Sequence, residues 1–349
     1  MKPLQTAGGS LANLVAGRDR LSDLAAFGSN PGQLRARTYT PINLSAGASL
    51  VVVLHGCTQT AADYDHGSGW SSLADRHGFA LLFPEQQRSN NPNLCFNWFV
   101  PGDSRRDAGE PLSIRQMIET FAASHGSDPK RIFVTGLSAG GAMAAIMLAA
   151  YPELFAGGAI IAGLPYGCAT SIPEAFERMK GKGLADSDAF VRAASDHTGP
   201  WPIVSVWHGS ADQTVHPANA EATLRQWRLV HGVEESPTRT ELVESHPRRV
   251  WCDGNGRALI EMYSIAGMGH GTPLATTGSE GCGASGAHML EANISSTRRI
   301  AEFWGLTAAA HAEKAQQPDA QPASSSWAGG IAGVRKTITD ALRAAGLMK

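Results

Sequence analysis

Short apolar runs alternate with amphipathic segments from about Arg37 to Trp304. Residues 49–54 read S-L-V-V-V-L, a continuous apolar run that suits a strand covered on both faces. Residues 111–124 instead carry apolar side chains at helical spacing. This alternation predicts an α/β fold with a mostly parallel central sheet flanked by helices. The predicted core strands are 49–54, 79–83, 131–135, 158–162, 202–207 and 258–265, and the predicted helices are 70–77, 111–124, 138–151 and 293–304.

Two tails flank this α/β domain, which we place at residues 37–305. Residues 1–36 form a predicted N-terminal extension, in which 11–27 have the pattern of a short helix. Residues 306–328 are rich in Ala, Gln, Pro and Ser, which is typical of a flexible linker. Residues 329–349 carry a helical stripe of apolar side chains and predict an amphipathic helix. This helix could dock on its own domain or contact a membrane or polymer surface.

The charge is nearly balanced, since 29 Lys and Arg residues stand against 31 Asp and Glu, for a formal net charge of −2. Without a basic cluster, this composition argues against nucleic acid as a partner. No apolar run approaches the roughly 20 residues that a membrane-spanning helix needs, so we predict no transmembrane segment. The first residues also lack the apolar stretch of about 7–15 residues that a secretory signal needs. Either the protein stays inside the cell, or the sequence begins after a removed leader.

A candidate nucleophile stands in the run G-L-S-A-G, where Ser138 directly follows a predicted strand and precedes a predicted helix. A serine on such a tight turn must adopt a strained backbone, and Gly136 and Gly140 give the turn room. The turn lifts the hydroxyl above the sheet edge and points the first amides of the helix at the reacting oxygen. G-x-S-x-G alone arises by chance in a chain with 39 glycines. The flanking strand and helix make it a predicted nucleophile turn of an α/β-hydrolase fold.

Two backbone amides are candidates for the oxyanion hole, the pair of N–H donors that stabilises a tetrahedral intermediate. One is the N–H of Ala139, directly after the candidate nucleophile. The other is the N–H of Cys57, in the loop L-H-G-C-T-Q that follows the first core strand. The alternative is that His55 and Gly56 only form a turn.

Chain order selects the base among 12 histidines, because the partners in this fold follow in the order serine, acid, histidine. His270 lies between glycines in G-M-G-H-G, just after the last predicted core strand. Asp212 follows the strand 202–207 by a short turn, which suits a buried carboxylate that orients the imidazole; an ordinary Asx turn is the alternative. We therefore predict a triad of Ser138, His270 and Asp212. The weaker candidates are His55, His208 and His216 for the base, and Asp186 and Asp188 for the acid.

The candidate residues lie within longer motifs spread across the α/β domain. These motifs are L-H-G-C-T-Q-T (54–60), C-F-N-W-F (95–99), G-L-S-A-G-G (136–141), G-L-P-Y-G-C-A (163–169), W-H-G-S-A-D-Q-T-V (207–215) and G-M-G-H-G-T-P (267–273). Together, in this order, they resemble the polyhydroxybutyrate (PHB) depolymerase-type esterases, which include feruloyl and acetylxylan esterases. The resemblance implies an α/β-hydrolase esterase whose nucleophile, acid, base and oxyanion donors are Ser138, Asp212, His270, Cys57 and Ala139.

The resemblance also implies a disulfide between Cys57 and Cys95, which would tie the oxyanion loop to the C-F-N-W-F segment. Cys252 and Cys282 flank the loop of the candidate base and could form a second bridge, which would leave Cys168 as a free thiol. Five reduced cysteines are the alternative. Because the family is typically secreted, we expect an extracellular or periplasmic protein. The cytoplasm is the alternative, since no signal peptide is visible.

Trp98 and Trp207 stand in segments that should meet near the triad, and we predict that they face the substrate; a core position is the alternative for each. The predicted reaction is hydrolysis of a small ester, a polyester or a polysaccharide ester through an acyl-enzyme at Ser138, with no metal and no organic cofactor. We expect short-chain 3-hydroxybutyrate esters or oligomers as substrates. The alternatives are feruloyl or acetylxylan esters of plant polysaccharides, a peptidase on the same triad, and a non-catalytic binding protein of this fold.

Overall fold

The computed structural model describes residues 19–184, 191–192, 194 and 196–307. The predicted core strands and helices are confirmed, each to within three residues at either end. The strands are β1 (Ser22–Asp23), β2 (Arg35–Tyr39), β3 (Leu50–Leu54), β4 (Ala80–Glu85), β5 (Ile132–Leu137), β6 (Gly157–Ile161), β7 (Ile203–Gly209), β8 (Arg239–Val243), β9 (His246–Cys252), β10 (Ala258–Ile265), β11 (Thr272–Leu274) and β12 (Met289–Glu291). The α-helices are α1 (Ala61–Ser68), α2 (Trp70–His77), α3 (Gly109–His125), α4 (Ala139–Ala150), α5 (Ile172–Met179), α6 (Ala218–His231) and α7 (Ser296–Phe303), and short 3₁₀ turns span Pro101–Asp103 and Pro152–Leu154.

Strands β1 to β10 form one 10-stranded sheet in the order β1-β2-β4-β3-β5-β6-β7-β10-β9-β8. The central strands from β4 to β10 run parallel to one another. Antiparallel strands complete both edges, β1 and β2 on one side and β9 and β8 on the other. Every residue of β3, β5, β6 and β7 is buried, as expected for parallel strands with helices on both faces. The predicted α/β class is therefore confirmed.

Two apolar clusters cover the two faces of the sheet, and β3 contributes to both because successive side chains of a strand point to opposite faces. Leu50, Val52 and Leu54 pack with α3, α4 and α6 on one face. Val51 and Val53 pack with α1, α2 and α7 on the other. Full burial of such a side chain contributes about 1.5–3 kcal/mol to folding. The two-sided burial explains why this strand is apolar at every position.

The carboxyl ends of the parallel strands bring distant parts of the chain to one edge of the sheet. Cys57 follows β3, Ser138 follows β5, Asp212 follows β7 and His270 follows β10. In the sheet, β3 neighbours β5 and β7 neighbours β10, with β6 between the two pairs. This edge holds the candidate site.

The ends of the α/β domain differ from the sequence-based expectation. Residues 19–27, predicted as part of a short helix, contain strand β1 and no helix, and β2 begins at Arg35, before the predicted domain boundary. Leu306 was predicted to start the linker, yet it is only 5% exposed and packs in the core. The rest of the predicted linker beyond Thr307 and the predicted helix 329–349 lie outside the described residues. Within the described part of the chain, no helix is long and apolar enough to cross a membrane.

Candidate active site

The turn between β5 and α4 holds Ser138 in a backbone conformation that non-glycine residues rarely adopt, with φ 58° and ψ −117°. Such a conformation costs about 1–3 kcal/mol and persists only where the surroundings enforce it. The surroundings are tight: a Cβ on Gly136 would lie 2.3 Å from Gly140 O, and a Cβ on Gly140 would lie 2.4 Å from Leu54 O. The Ser138 N–H also donates to Ile161 O at 2.9 Å. The glycines therefore let the turn close, and the turn presents the serine hydroxyl at the sheet edge.

Three side chains from separate loops form a chain of hydrogen bonds at this edge. His270 Nε2 lies 2.9 Å from Ser138 Oγ, and His270 Nδ1 lies 2.7 Å from Asp212 Oδ2. The loops of the histidine and the aspartate are joined directly, since the Ala211 N–H donates to Met268 O at 3.0 Å. The imidazole is thus held between a hydroxyl and a carboxylate, the arrangement in which it can exchange a proton with the hydroxyl.

The Asp212 carboxylate is fully buried, and both of its oxygens accept hydrogen bonds. Oδ1 accepts the backbone N–H groups of Thr214 and Val215, each at 2.9 Å. Oδ2 accepts His270 Nδ1 and also lies 3.3 Å from His208 Nε2. Burial by itself would raise the pKa of Asp212, but the hydrogen bonds from the two histidines and from the Val215 amide outweigh it and hold the pKa well below its usual range. The carboxylate therefore stays ionised.

Cys57 and Ala139 both line the cleft beside Ser138. Ala139 is the first residue of α4, so its N–H has no acceptor within the helix. The two amides next to Cys57 are engaged: the Gly56 N–H donates to the Gln59 side chain at 2.8 Å, and the Thr58 N–H donates to Asn93 O at 2.7 Å. Hydrogen bonds on both sides of the Cys57 amide therefore fix the backbone of the loop 54–59.

His55 anchors the loop 54–59, which carries the candidate amide of Cys57. Its Nδ1 lies 2.8 Å from Gly56 O, and its Nε2 accepts the Gln86 N–H at 3.1 Å. A carbonyl oxygen only accepts and an amide N–H only donates, so the ring is the neutral Nδ1–H tautomer. Complete burial lowers the pKa of His55 and keeps it neutral. His55 therefore does more than form a turn with Gly56, which was the alternative from the sequence: its ring holds the loop in place.

A disulfide between Cys57 and Cys95 joins the oxyanion loop to the C-F-N-W-F segment. The bridge expected from the family resemblance is therefore present. Trp98, in the same segment, is 8% exposed and lines the cleft. The disulfide and the Thr58–Asn93 hydrogen bond fix one wall of the site to the loop that carries an oxyanion candidate.

Ser138 lies in the wall of a largely apolar cleft with a volume of about 380 Å³. Helix α5 forms its outer wall with Ile172 and Phe176, which are 59% and 57% exposed. Large apolar side chains that remain exposed beside a reactive group suit contact with an apolar ligand. The other apolar lining residues are Pro92, Trp98, Phe99, Ala139, Leu164, Ala175, Met179 and Val215, and the polar ones besides Ser138 include Asn91 and Asn93.

A buried carboxyl group holds the C-F-N-W-F segment that lines the cleft. Glu110, on α3, accepts the backbone N–H of Asn97 at 2.9 Å, the side-chain amide of Asn97 at 2.9 Å and that of Gln86 at 2.6 Å. Burial raises the pKa of Glu110 to about 8, and the charge of Asp103 acts in the same direction. Because Gln86 also donates to Cys95 O at 3.0 Å, this network positions the segment that carries the disulfide and Trp98.

Comparison with known proteins places the chain among esterases. Residues 37–241 match the family described as "Esterase PHB depolymerase". The chain belongs to this family. It is a carboxylic ester hydrolase, as expected from the sequence motifs. The matched residues include Ser138 and Asp212 and end before His270.

Several relatives cover most of this PHB depolymerase-type esterase. Poly(3-hydroxyalkanoate) depolymerase C of Paucimonas lemoignei is 47% identical over 292 residues, which are 82% of this chain and 70% of the relative. An acetylxylan esterase of Coprinopsis cinerea is 32% identical over 270 residues, 74% of this chain and 71% of the relative. Feruloyl esterase B of Neurospora crassa is 34% identical over 268 residues, 72% and 88% of the two chains. The structure of an acetyl xylan esterase from Aspergillus awamori superposes with a TM-score of 0.70 at 25% identity and covers 82% of this chain and 99% of that one. The esterase therefore has the α/β-hydrolase fold.

The prediction that Trp207 faces the substrate is wrong. Trp207 is fully buried in β7, and its ring stacks on Tyr263 of the neighbouring strand with centroids 3.8 Å apart. Its indole N–H donates to Ser205 Oγ at 2.8 Å. The position lies within a central strand that helices cover on both faces, so the side chain belongs to the core.

The predicted second disulfide is also wrong, because Cys252 and Cys282 are both free thiols in the esterase. Cys252 pairs with Ala258 at the amino end of β10, whereas the loop of the candidate base follows the carboxyl end of that strand. Cys282 is buried, with its sulfur 3.3 Å from Ser295 Oγ. Closeness to His270 along the chain does not bring the two sulfurs together. Cys168, which was expected to be free if the second bridge formed, is a free thiol as well.

Three features of the site escaped sequence reasoning. His208 was weighed only as a rival base, although it contacts Asp212; the spacing of four residues in W-H-G-S-A-D could have indicated the contact. Helix α5 was missed because it buries only Ala175 and so lacks an apolar face toward the core, although Pro173 at its start is a helix signal. The Glu110 network joins residues from separate elements, and no local pattern indicates it.

Loss of the Cys57–Cys95 bridge should reduce both stability and activity. The bridged cysteines are 38 residues apart, so removing the bridge frees a loop whose closure contributes about 4 kcal/mol in the chain-entropy model. We expect the double variant Cys57→Ser, Cys95→Ser to lose roughly that free energy of unfolding and about tenfold in kcat, since the amide of residue 57 is less firmly held. Denaturant unfolding and ester hydrolysis measure the two effects. Cys252→Ser, which removes a free thiol, is the control, and equal stability of the two proteins would contradict the prediction.

Proposed function

We propose that this esterase hydrolyses short-chain 3-hydroxybutyrate esters or oligomers through an acyl-enzyme on Ser138. The observation that supports this most strongly is the continuous hydrogen-bond chain from Ser138 through His270 to Asp212, at 2.9 and 2.7 Å, with the serine opening into an apolar cleft. A nucleophile, a base in contact with it and a third group that orients the base are the parts that covalent acyl transfer needs.

The first half of the reaction forms the acyl-enzyme. His270 Nε2 takes the proton of Ser138 as Oγ bonds to the ester carbonyl carbon, and the carbonyl oxygen becomes an oxyanion. The N–H groups of Ala139 and Cys57 stabilise that oxyanion, each worth roughly 3 kcal/mol in the transition state. The C–O bond to the alcohol then breaks, and the alcohol leaves with the proton from His270.

The second half repeats these steps with water as the nucleophile. His270 takes a proton from water, the new hydroxyl bonds to the acyl carbon, and Ser138 leaves with the proton. Throughout, the ionised Asp212 holds the imidazole in the Nδ1–H tautomer and stabilises its charged form. The depressed pKa of Asp212 supports this role, because the carboxylate remains charged at any pH at which the histidine works.

The lining of the cleft favours an aliphatic acyl group. Trp98, Phe99, Leu164 and Phe176 surround the serine with apolar surface, which suits a short acyl chain whose main recognition is burial of its methyl and methylene groups. Similarity to the poly(3-hydroxyalkanoate) depolymerase of Paucimonas lemoignei points to the same substrate class. A disulfide beside the site supports an extracellular or periplasmic location, since such bonds persist in oxidising compartments.

An acetylxylan or feruloyl esterase is the second candidate, favoured by the likeness to the Aspergillus awamori acetyl xylan esterase and to the Neurospora crassa feruloyl esterase. Initial rates of the full chain on 3-hydroxybutyrate trimers, acetylated xylan and methyl ferulate separate the two. We expect kcat/KM for the hydroxybutyrate trimer to exceed that for the sugar-linked esters by about tenfold or more, the discrimination that one or two well-buried groups supply. A preference for acetylated xylan or ferulate would assign the second function instead.

A matched pair of variants tests the role of the cleft. Phe176 lines it and is 57% exposed, whereas Leu229 is 43% exposed on α6 and is not part of the lining. Phe176→Ala should raise KM for the hydroxybutyrate trimer about fivefold, because a lost apolar contact at a half-exposed side chain costs roughly 1 kcal/mol. Leu229→Ala should leave KM unchanged. Equal behaviour of the two variants would argue against substrate binding on α5.

A further inference from the structure

A second imidazole contacts the carboxylate of the candidate triad. His208 lies on β7 and is only 3% exposed. Its Nε2 lies 2.7 Å from Val215 O and 3.3 Å from Asp212 Oδ2. Neither the acyl-transfer steps nor the cleft lining uses this side chain. The proposed mechanism therefore does not explain why His208 contacts Asp212.

The hydrogen bond to Val215 O defines the proton on the ring. A carbonyl oxygen only accepts, so Nε2 of His208 carries a hydrogen. That N–H is directed to Val215 O, and Asp212 Oδ2 lies 3.3 Å from the same nitrogen. Because this nitrogen is occupied as a donor, His208 has no lone pair at Nε2 with which to act as a base toward Ser138.

The turn after β7 and this imidazole enclose Asp212 from both sides. Val215 takes part twice, because its N–H donates to Asp212 Oδ1 at 2.9 Å while its carbonyl accepts from His208. The other oxygen, Oδ2, is shared between His270 Nδ1 at 2.7 Å and His208 Nε2 at 3.3 Å. His208 thus restrains the turn and the oxygen that faces the candidate base.

We propose that His208 is a positioning residue of the triad: its Nε2–H holds Asp212 Oδ2 in line with His270 Nδ1 and takes up part of the carboxylate charge. The inference rests on the proposed function, because it acts through the Asp212–His270 pair. Two consequences follow. Loss of the donor should lower kcat, since the imidazolium formed in the reaction is less well oriented, and it should make the carboxylate attract a proton on His270 more strongly.

The titratable groups around this pair are few within the described residues. His208 from β7 and His270 from the loop after β10 face Asp212. His288, just before β12, faces His270 with ring centroids 5.7 Å apart, and its Nδ1 lies 3.2 Å from His270 O. A substitution at position 208 can therefore change the pH dependence of ester hydrolysis only through its effect on Asp212, as long as His288 is unaltered.

The experiment uses three variants. Two place a side chain without and with an N–H donor at position 208, and the third replaces a histidine with a similar hydrogen bond elsewhere in the chain. His208→Phe keeps an aromatic ring and removes the N–H, whereas His208→Gln places an amide N–H near the position of Nε2. His231 makes the same kind of bond, from Nε2 to Pro202 O at 3.0 Å, but Pro202 precedes β7 at the opposite edge of the sheet. His231→Phe therefore reports the cost of losing a histidine–carbonyl bond without touching the triad.

We expect His208→Phe to lose about tenfold in kcat on a 3-hydroxybutyrate ester with little change in KM, the effect of one hydrogen bond to a charged group. The acid limb of its kcat/KM profile should move toward higher pH by roughly half a pH unit. His208→Gln should recover most of kcat and the wild-type profile, and His231→Phe should show wild-type values for both. A His208→Phe variant that matches His231→Phe in kcat and in pH profile would overturn the proposal.

Nitrogen NMR of the histidines in the wild-type chain tests the inference even if His208→Phe does not fold. We expect the Nε2–H form at His208, and an Nδ1–H tautomer there would overturn the proposal.

The variant Ser138→Ala distinguishes failure of the proposed function from failure of the proposal for His208. If the proposed function is wrong, that variant keeps its activity; if only the role of His208 is wrong, Ser138→Ala is inactive while His208→Phe behaves like the control.

Discussion

Replacement of Ser138 by alanine should lower kcat on a 3-hydroxybutyrate ester by a factor on the order of 10⁵, because the only group lost is the hydroxyl that we propose forms the acyl-enzyme. The remaining rate comes from substrate binding and from the oxyanion donors. The fold should be unaffected, since Ser and Ala carry the same Cβ and the turn contacts at Gly136 and Gly140 do not involve Oγ. Hydrolysis rates and thermal unfolding of both proteins measure the two quantities.

A second substitution at this position is the control for backbone strain. The φ of 58° at Ser138 favours glycine, so Ser138→Gly should be inactive like Ser138→Ala but more stable, by about 1 kcal/mol. Retention of more than a small percentage of activity in either variant would contradict the assignment of Ser138 as nucleophile.

Substitution of Gly209 by alanine should cost about a hundredfold in kcat although this residue does not line the cleft. A Cβ at Gly209 would lie 2.3 Å from Met268 O and 2.5 Å from Gly269 O. The loop of His270 would have to move away by roughly 1 Å, and a misplacement of that size at a catalytic group commonly costs about 10² in rate. The residue ends β7, so the added methyl would push apart the loops that carry Asp212 and His270.

Gly269→Ala is the matched control for this substitution. A Cβ at Gly269 would meet nothing within 4 Å, although the residue lies directly beside His270. We expect kcat within about threefold of wild type, since no neighbour has to move. Steady-state kinetics on one ester substrate compare the two variants. If both lose activity equally, the close approach at Gly209 is not what positions the base.

The residues of the candidate triad could be selected from the sequence because each belongs to a short-range signal. Ser138 has a strand before it, a helix after it and glycines on both sides. Asp212 and His270 each follow a core strand in the expected order. Since parallel strands end at one edge of the sheet, the fold brings these loops to the same place without any long-range pattern in the sequence.

The wrong predictions share a physical cause, since nearness along the chain does not reveal which face or which end of an element a residue occupies. Trp207 lies beside functional residues in its motif, but it points into the core from β7. Cys252 ends β9 and pairs with Ala258 at the amino end of β10, whereas the loop of His270 follows the carboxyl end of β10. In both cases the strand register, which no local motif records, decides the contact.

Elements at the edges of the fold were missed for a different reason. Strand β8 is mostly exposed and carries charged side chains such as Arg239 and Glu241, so it lacks the apolar run that identified the core strands. Helix α5 directs Ile172 and Phe176 toward the cleft and solvent rather than toward the core. Apolar patterning predicts elements that bury a face, and these elements bury little.

Reaction of the full chain with a fluorophosphonate ester, followed by mass spectrometry of the intact protein and of its peptides, tests the triad most directly. The reagent bonds to a serine that a neighbouring base has activated. One adduct per chain is expected, on the peptide that contains Ser138; it should be absent in Ser138→Ala and form far more slowly in His270→Ala. An adduct on another residue, or equal labelling of the Ser138→Ala protein, would contradict the proposed nucleophile and with it the proposed mechanism.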